Sequence, residues 1–346
     1  MTENPRSMPP EDAASTPGWD LLAVWSLRGL LALLLIFACE GLLWSDLPGR
    51  PAEWPLLLVG YGVLGTLALD LAARFRIRDV YGAMQVMLVI ALLTALLLNP
   101  ERALSRFPDH LISRTLGAYG LVALLAFGAF LALTSGADPR YRARFAGFGV
   151  GFSFFAGIWA RDAHTITGWS AQPADLAAVM LTLAALIAAA LLLVLIAART
   201  GQRMRPPDLR LPPVSLLALI ALLLGLLLFQ AVRSQYDGAE ALTIIGLASL
   251  LWTLLWYERR PRGRALLDAH IPPQPIPPGW LALILLVAAG GFVLGWSVPR
   301  VTIAGYNPLE LVQLGFVMLG FFWLPLVLLA SAVTVINRQM RKLNRL

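Results

Sequence analysis

Residues 176–198 read LAAVMLTLAALIAAALLLVLIAA, a run with a single hydroxyl and no charge. As an α-helix it is about 35 Å long, enough to cross a hydrocarbon core of about 30 Å. Lipid offers no water to an open backbone, so such a run must be a helix or part of a closed barrel. Barrel strands are about ten residues long and alternate apolar with polar; this run does neither. Comparable runs lie at 21–44, 54–73, 80–98, 117–134, 145–160, 213–232, 239–257, 280–298 and 309–336. The 346-residue chain is 58% hydrophobic and 14% charged, where a soluble domain carries about 25% charge. The expected fold is all-α, a polytopic transmembrane bundle of about ten helices. Pro55, Pro100, Pro139, Pro213, Pro299 and Pro308 mark helix edges, and Trp44, Trp54, Trp169, Trp256, Trp280 and Trp296 lie near predicted ends, where an indole suits the headgroup layer.

The net charge of +7 does not indicate nucleic acid, because the basic residues are spread over many loops and form no single face. Their placement sets orientation instead. Arg50, Arg102, Arg106, Arg114, Arg161, Arg233 and Arg300 fall on one side of the ten crossings. The other nineteen arginines and Lys342 fall on the opposite side, in clusters such as Arg74–Arg76–Arg78, Arg140–Arg142–Arg144 and Arg259–Arg260–Arg262–Arg264. The positive-inside rule places the richer side, with both termini, in the cytoplasm. The Arg102–Arg114 loop runs against the bias. The arginine-heavy, Ala/Leu/Gly/Pro-rich composition suggests a bacterial protein, hence the bacterial cytoplasmic (inner) membrane. The organisation expected is a disordered tail over 1–18, five-helix halves over 19–160 and 161–336, and a basic tail over 337–346. Cys39 is the one cysteine, which excludes an internal disulfide and any cysteine-rich metal site. Leu35-Ile-Phe-Ala-Cys39 has the outline of a lipoprotein cleavage box, but Phe37 is bulky where such a box prefers a small residue, and a buried helix cysteine is the reading taken.

The ten crossings divide as five and five. In each set the second gap between helices is the shortest and the third the longest. Asp20-Leu-Leu-Ala-Val24 matches Asp175-Leu-Ala-Ala-Val179, and Arg78-x-x-Tyr81 matches Arg233-x-x-Tyr236, both at an offset of 155. Because five is odd, the second half would enter from the opposite side, a candidate inverted repeat of the kind that builds two interconvertible faces around one midplane site. The plan resembles that of the drug/metabolite transporter superfamily, a likeness of helix number and arrangement with no motif residues attached.

Motifs for chemistry are few. Gly60-Tyr-Gly-Val-Leu-Gly65 fits GxGxxG but follows no strand, so it reads as helix packing, as do Gly147-x-x-x-Gly151 and Gly291-x-x-x-Gly295. His110, His164 and His270 all fall between predicted spans, so no haem ligation or intramembrane metalloprotease is expected, nor any other cofactor or metal. Polar groups inside spans carry more weight, since a mid-bilayer charge costs at least ~2.5 kcal/mol. Glu40, Gln85, Gln230, Glu310 and Gln313 are candidates for substrate or proton coupling. Glu40 stands out, being short and set among Phe37, Ala38, Leu42 and Leu43. Arg28 and Asp70 read as interfacial. Arg161, Asp162 and His164 form a candidate outer-face loop able to bind an anionic headgroup or relay a proton. The Pro-rich segment 271–278 reads as a stiff connector against anionic lipid.

Three readings follow. The first is a secondary transporter of a small solute. The second is a membrane-embedded enzyme for a lipid-linked substrate, using acids such as Glu40, Asp46, Glu53 and Asp162. The third is an accessory subunit of a membrane complex. Membrane lipid, and in the third reading other membrane subunits, are the expected partners.

Overall fold

The computed structural model describes residues 17–44, 47–103, 105–135, 139–165, 175–234, 237–259, 264–299 and 308–343. They hold ten long helices and no strand. Helix α1, Pro17–Ile36, continues into a π-helical segment, Phe37–Leu42. Helices α2, Trp54–Phe75, and α3, Val80–Leu97, follow. Helix α4 opens with a second π-helical segment, Leu111–Tyr119, and continues as Gly120–Ser135. The rest are α5, Pro139–Asp162; α6, Leu176–Thr200; α7, Pro213–Ser234; α8, Gly238–Glu258; α9, Pro278–Ser297; and α10, Pro308–Leu343. Among the described residues nine are long and apolar enough to cross a membrane. The tenth, α5, is diluted by glycine and by charged residues at both ends.

Local chemistry sets the boundaries. Proline opens α1, α5, α7, α9 and α10, a position where no intrahelical partner for its missing N–H is lost. Asp79, Asp175 and Asp237 cap α3, α6 and α8, accepting from Gly82 N at 2.9 Å, Ala178 N at 3.3 Å and Ala239 N at 3.2 Å. Three expectations shift. Helix α4 begins at Leu111 rather than 117, because Ser113, Arg114 and Thr115 are buried inside its π turns despite their polarity. Helix α5 begins at Pro139, ahead of its three arginines. Helix α10 runs to Leu343, so the expected basic tail from 337 is helical over most of its length. Residues 1–16 of the expected disordered tail lie outside the described residues.

Packing divides the molecule into a buried inner group and an outer one. The apolar stretches of α2 and α3 are 78% buried, and those of α7 and α8 are 17% buried. Val214, Leu228, Val232, Leu242, Leu286 and Leu329 are all more than 65% exposed. In water so large an apolar surface would aggregate; in lipid it has no such cost. The chain is an integral membrane protein of the multi-pass helical class. Helix α1 packs on α2 and α6, α3 on α8 and α4, α2 on α7, α5 along α9, and α10 along the π segment of α4.

Glycine brings two of these pairs into backbone contact. A Cβ on Gly117 would sit 2.0 Å from the Phe316 carbonyl, and one on Gly320 1.9 Å from that of Ile112. Gly157 and Gly295 do the same between α5 and α9, against Phe292 O at 2.1 Å and Phe154 O at 1.9 Å. Of the small-residue pairs read from sequence, Gly295 is used this way. Gly147 and Gly151 face open space, and Gly157 takes their place. A Cβ on Gly65 would sit 2.9 Å from the Ala32 backbone N and one on Gly60 would meet the Leu98 side chain, so these two glycines serve packing, whereas Gly62 faces open space.

Two segments expected at the lipid surface are folded onto the protein instead. Asp70 is fully buried; it accepts two bonds from Arg74 at 2.9 Å and one from Leu211 N at 2.7 Å, and Arg74 also donates to Leu211 O. Arg28, 5% exposed, donates to Leu209 O. These residues clamp the α6–α7 connection rather than snorkel. The Pro-rich connector is held by Leu266 N to Ile77 O and Gln274 N to Thr134 O, with His270, Ile271 and Ile276 buried. It is therefore a strap on the bundle.

Candidate functional site

Helices α1, α3, α5, α7 and α9 finish at the end of the bundle that carries the smaller arginine set, the arginine-poor end. Glu40 lies there, in the π turns that close α1, and is fully buried. A π turn inserts an extra residue per turn and leaves wide spacing, marked here by Leu43 N bonding Ala38 O five residues back. The Glu40 carboxylate is met from three other elements. Tyr61 of α2 donates its hydroxyl to Oε1 at 2.7 Å. Asn99, just past α3, donates its amide to the same oxygen at 2.5 Å. Arg50, in the α1–α2 connection, reaches Oε2 at 3.3 Å. A buried carboxylate needs such donors, since an unmet charge in this setting costs several kcal/mol.

A second layer surrounds it. Trp44 donates Nε1 to the Tyr119 hydroxyl at 2.6 Å, and both rings are buried. The guanidinium of Arg102, from the one-turn helix Pro100–Ala103, lies 4.7 Å from the Trp44 ring centre. That of Arg114, in the π turns of α4, lies 5.7 Å from the same ring and donates to the Arg102 carbonyl. Arg50 also pairs with Glu53 at 2.6 Å, and Glu53 with Arg233 of α7 at 3.4 Å. Trp159 of α5 donates to the Leu43 carbonyl at 2.8 Å, closing the site from the far side. Both π segments thus converge on one buried polar centre.

Of the residues expected from sequence, Glu40 is at the heart of this site and Gln230 at its rim, donating to Leu98 O beside Asn99 at 3.3 Å. Gln85 belongs elsewhere. It is fully buried and donates to Ser331 Oγ at 3.0 Å and Glu258 at 3.2 Å, tying α3 to α10 and α8. Glu310 is exposed and Gln313 half-buried at the start of α10, and neither joins the network around Glu40. Arg161 pairs with Asp162, which is 4% exposed, and donates to the carbonyls of Trp296 and Val298, joining the ends of α5 and α9. Expected from sequence as part of an outer-face polar loop, the pair forms a partly buried brace between two helix ends. His164 follows in the turn Ala163–Thr165.

No family model, no curated protein and no solved structure matches this chain. Its chemistry rests on its own geometry. Among the described residues, the buried and half-buried charged groups of the site are Arg50, Arg102, Arg114, Glu40 and Glu53; Asp46, in the same connection, lies outside the described residues. At the margin, His110 faces Ser105 Oγ across 2.9 Å, and burial with Arg114 and Arg106 nearby pushes its pKa down to about 4. Sequence reasoning missed Tyr61, Asn99, Arg50, Arg102, Arg114, Trp44 and Tyr119. The one available signal was the Arg102–Arg114 break in the charge bias.

Proposed function

We propose that this chain is a secondary transporter of a small solute and that Glu40 is its proton-coupling carboxylate. The observation that carries the reading is a fully buried carboxylate, in a widened helix turn, bonded by a tyrosine, an asparagine and an arginine from three elements. Intramembrane carboxylates so placed are costly and mark ion or proton paths. The packing supports the same reading. Helices α1, α2 and α3 lie against α6, α7 and α8, each five helices further on, and the α4–α10 contact is matched by α5–α9. A twofold axis exchanging the halves would produce those cross-half pairs, while the packing of α1 on α2, α2 on α3 and α3 on α4 has no counterpart of like extent in the second half. Both termini would then be cytoplasmic, in a bacterial inner membrane, with the Glu40 site toward the outer side and lipid around α7–α10.

The test is proton flux in proteoliposomes enclosing a pH-sensitive dye. Outward gradients of individual solutes from a panel of anions, cations and neutral metabolites are imposed, and internal pH is followed. A solute that drives proton movement in wild type and not in Glu40→Gln, with both proteins eluting as single folded species, supports the proposal. Equal flux in the two proteins removes Glu40 from coupling. No flux with any solute, together with a tightly bound protein partner on mild purification, favours the accessory-subunit reading.

A further inference from the structure

Two of the chain's connections cover the arginine-rich end of the inner helices, and they are held unequally. The α6–α7 connection is tied down from beneath. The fully buried Asp70 accepts from Leu211 N and from Arg74, Arg28 donates to Leu209 O, and Arg210 donates to Ala73 O. The other is the strap, residues 264–278, which crosses the same end from the α2–α3 turn to the end of α4. Leu266 N donates to Ile77 O at 2.7 Å on one side, and Gln274 N to Thr134 O at 3.0 Å on the other. Between them, a Cβ on Gly201, which ends α6, would lie 3.0 Å from Ala23 of α1 and 3.6 Å from Pro273, so the strap passes over both helix ends. Leu267, Ile271 and Ile276 are buried beneath it. Its ion pair with the body, Asp268 to Arg76 at 3.6 Å, is about a third exposed on both sides, a setting in which such a pair adds little. Five of the seven residues 272–278 are proline, so this part is stiff and moves as one piece. The strap runs directly into α9, which Pro278 opens and which packs along α5. Phe292, near the far end of α9, shares an apolar cluster with Leu42 of α1 and Leu183 of α6, and Gly295 meets the α5 backbone there. Leu283 and Leu286, nearer the strap, are exposed. Helix α9 is thus fastened at the arginine-poor end and exposes its apolar side chains beside the strap.

We propose that residues 264–278 are the gate of the arginine-rich end: the strap lifts as one piece off Ile77, Gly201 and Thr134, carried by α9, and opens the route between Glu40 and that side of the membrane. This deepens the transport reading, on which it rests, by naming the part that moves. From Gly295 to Pro278 is about 26 Å along the helix, so a tilt of about 10° at the glycine crossing carries the strap about 4–5 Å, beyond the reach of both backbone bonds. The crossing suits a pivot, because at Gly157 and Gly295 no side chain keys one backbone against the other. The α6–α7 connection stays in place through this motion, since releasing it would leave the Asp70 carboxylate buried without its partners. The strap gives up two backbone bonds, which water replaces at the surface, and the burial of Leu267, Ile271 and Ile276.

Hydrogen exchange followed by mass spectrometry, on the full chain in detergent, reads the strap without any solute. Because of the prolines, uptake over 272–278 reports the Gln274 and Ile276 amides. Asp268→Ala removes the ion pair to Arg76 and the acceptor of Ala265 N, and touches neither of those amides. If the strap lifts as one piece, uptake over 264–271 and over 272–278 should rise by a like factor, about two- to fivefold, with residues 207–212 unchanged. The second arm locks the strap. Thr134→Cys with Gln274→Cys places two thiols where backbone N and O are already bonded, and the buried Cys39 stays as it is. Oxidised in proteoliposomes, this variant should lose the solute-driven proton flux, and dithiothreitol should restore it. Each single-cysteine variant should carry wild-type flux. The proposal is overturned if Asp268→Ala speeds exchange over 264–271 alone, or if the cross-linked protein carries the flux of its reduced form. Exchange that rises on both sides of the strap, with no solute driving flux in wild type, removes the transport reading and leaves the lid standing. Flux that Glu40→Gln abolishes and the cross-link leaves intact removes the gate and keeps the transport reading. Where the two cysteines do not join, the exchange arm decides.

Discussion

Asp70 and Glu40 are both fully buried carboxylates on inner helices, yet their surroundings assign them different work. Every donor to Asp70 comes from its own helix or from the connection it anchors, so its bonds hold the 201–212 segment against α2. Asp70→Ala should therefore destabilise the protein by about 3–5 kcal/mol, the cost of leaving Arg74 and the Leu211 N–H without their acceptor. Unfolding in detergent checks this, and proton flux by the surviving folded protein should be unchanged. Glu40 instead draws its donors from three separate elements. His110 gives a separate test. Its pKa is about 4 in the folded protein against an ordinary 6.5, so the unfolded chain binds the extra proton first as pH falls. Stability contributed by neutral His110 is full above about pH 6.5 and is lost as pH drops toward 4. His110→Asn should flatten that part of the stability-versus-pH curve, measured by thermal midpoint. Glu40 was legible in the sequence because a short acid among large apolar residues has no cheap explanation. Its partners were not. Tyr61 reads as an ordinary helix aromatic, Asn99 as a helix end before Pro100, and Arg102 and Arg114 as loop charges. Only the tertiary fold brings them to one carboxylate.

At the level of elements, hydropathy located all ten long helices, and it erred where polarity and helix coexist. The π turns at 111–119 bury Ser113, Arg114 and Thr115, so an apolar-run criterion starts α4 too late. The arginines at the head of α5 hide its first turns in the same way. Glycine spacing was a weaker guide. The helix-packing role was correct for Gly65 and Gly295, but the sequence could not show that Gly157 and not Gly151 meets α9, because that depends on where the two axes cross. The crossings give a sharp contrast. Gly320→Ala would place a methyl 1.9 Å from the Ile112 carbonyl, so α4 and α10 must separate, at a cost of about 1–3 kcal/mol or more. Gly128→Ala, in open space on α4, should be neutral or stabilising by up to about 1 kcal/mol through helix propensity. Parallel thermal melts of the two variants test whether these contacts, rather than glycine content, hold the pairs together.

Across the whole molecule, the two halves are alike in how they meet and unlike in how deeply they are buried. Helices α1–α4 form the packed centre, and α7–α10 present leucine and phenylalanine outward. Both glycine crossings, α4 on α10 and α5 on α9, fall toward the end that holds the Glu40 site. Close backbone packing there would seal that end in this conformation, leaving exchange with the opposite side to require that the crossings loosen. On the proposed transport reading, the direction of gating depends on which side of the membrane the arginine-poor end faces, and the positive-inside rule makes that an explicit expectation. Cys39 is 1% exposed, so the native chain should resist a membrane-impermeant maleimide and serve as its own background. Arg106→Cys and Arg203→Cys place a thiol at exposed positions on opposite ends of the bundle. The first should label in intact cells and the second only in inverted membrane vesicles. The opposite pattern would invert the molecule, put the Glu40 site on the cytoplasmic side, and reverse the direction in which protons are taken up.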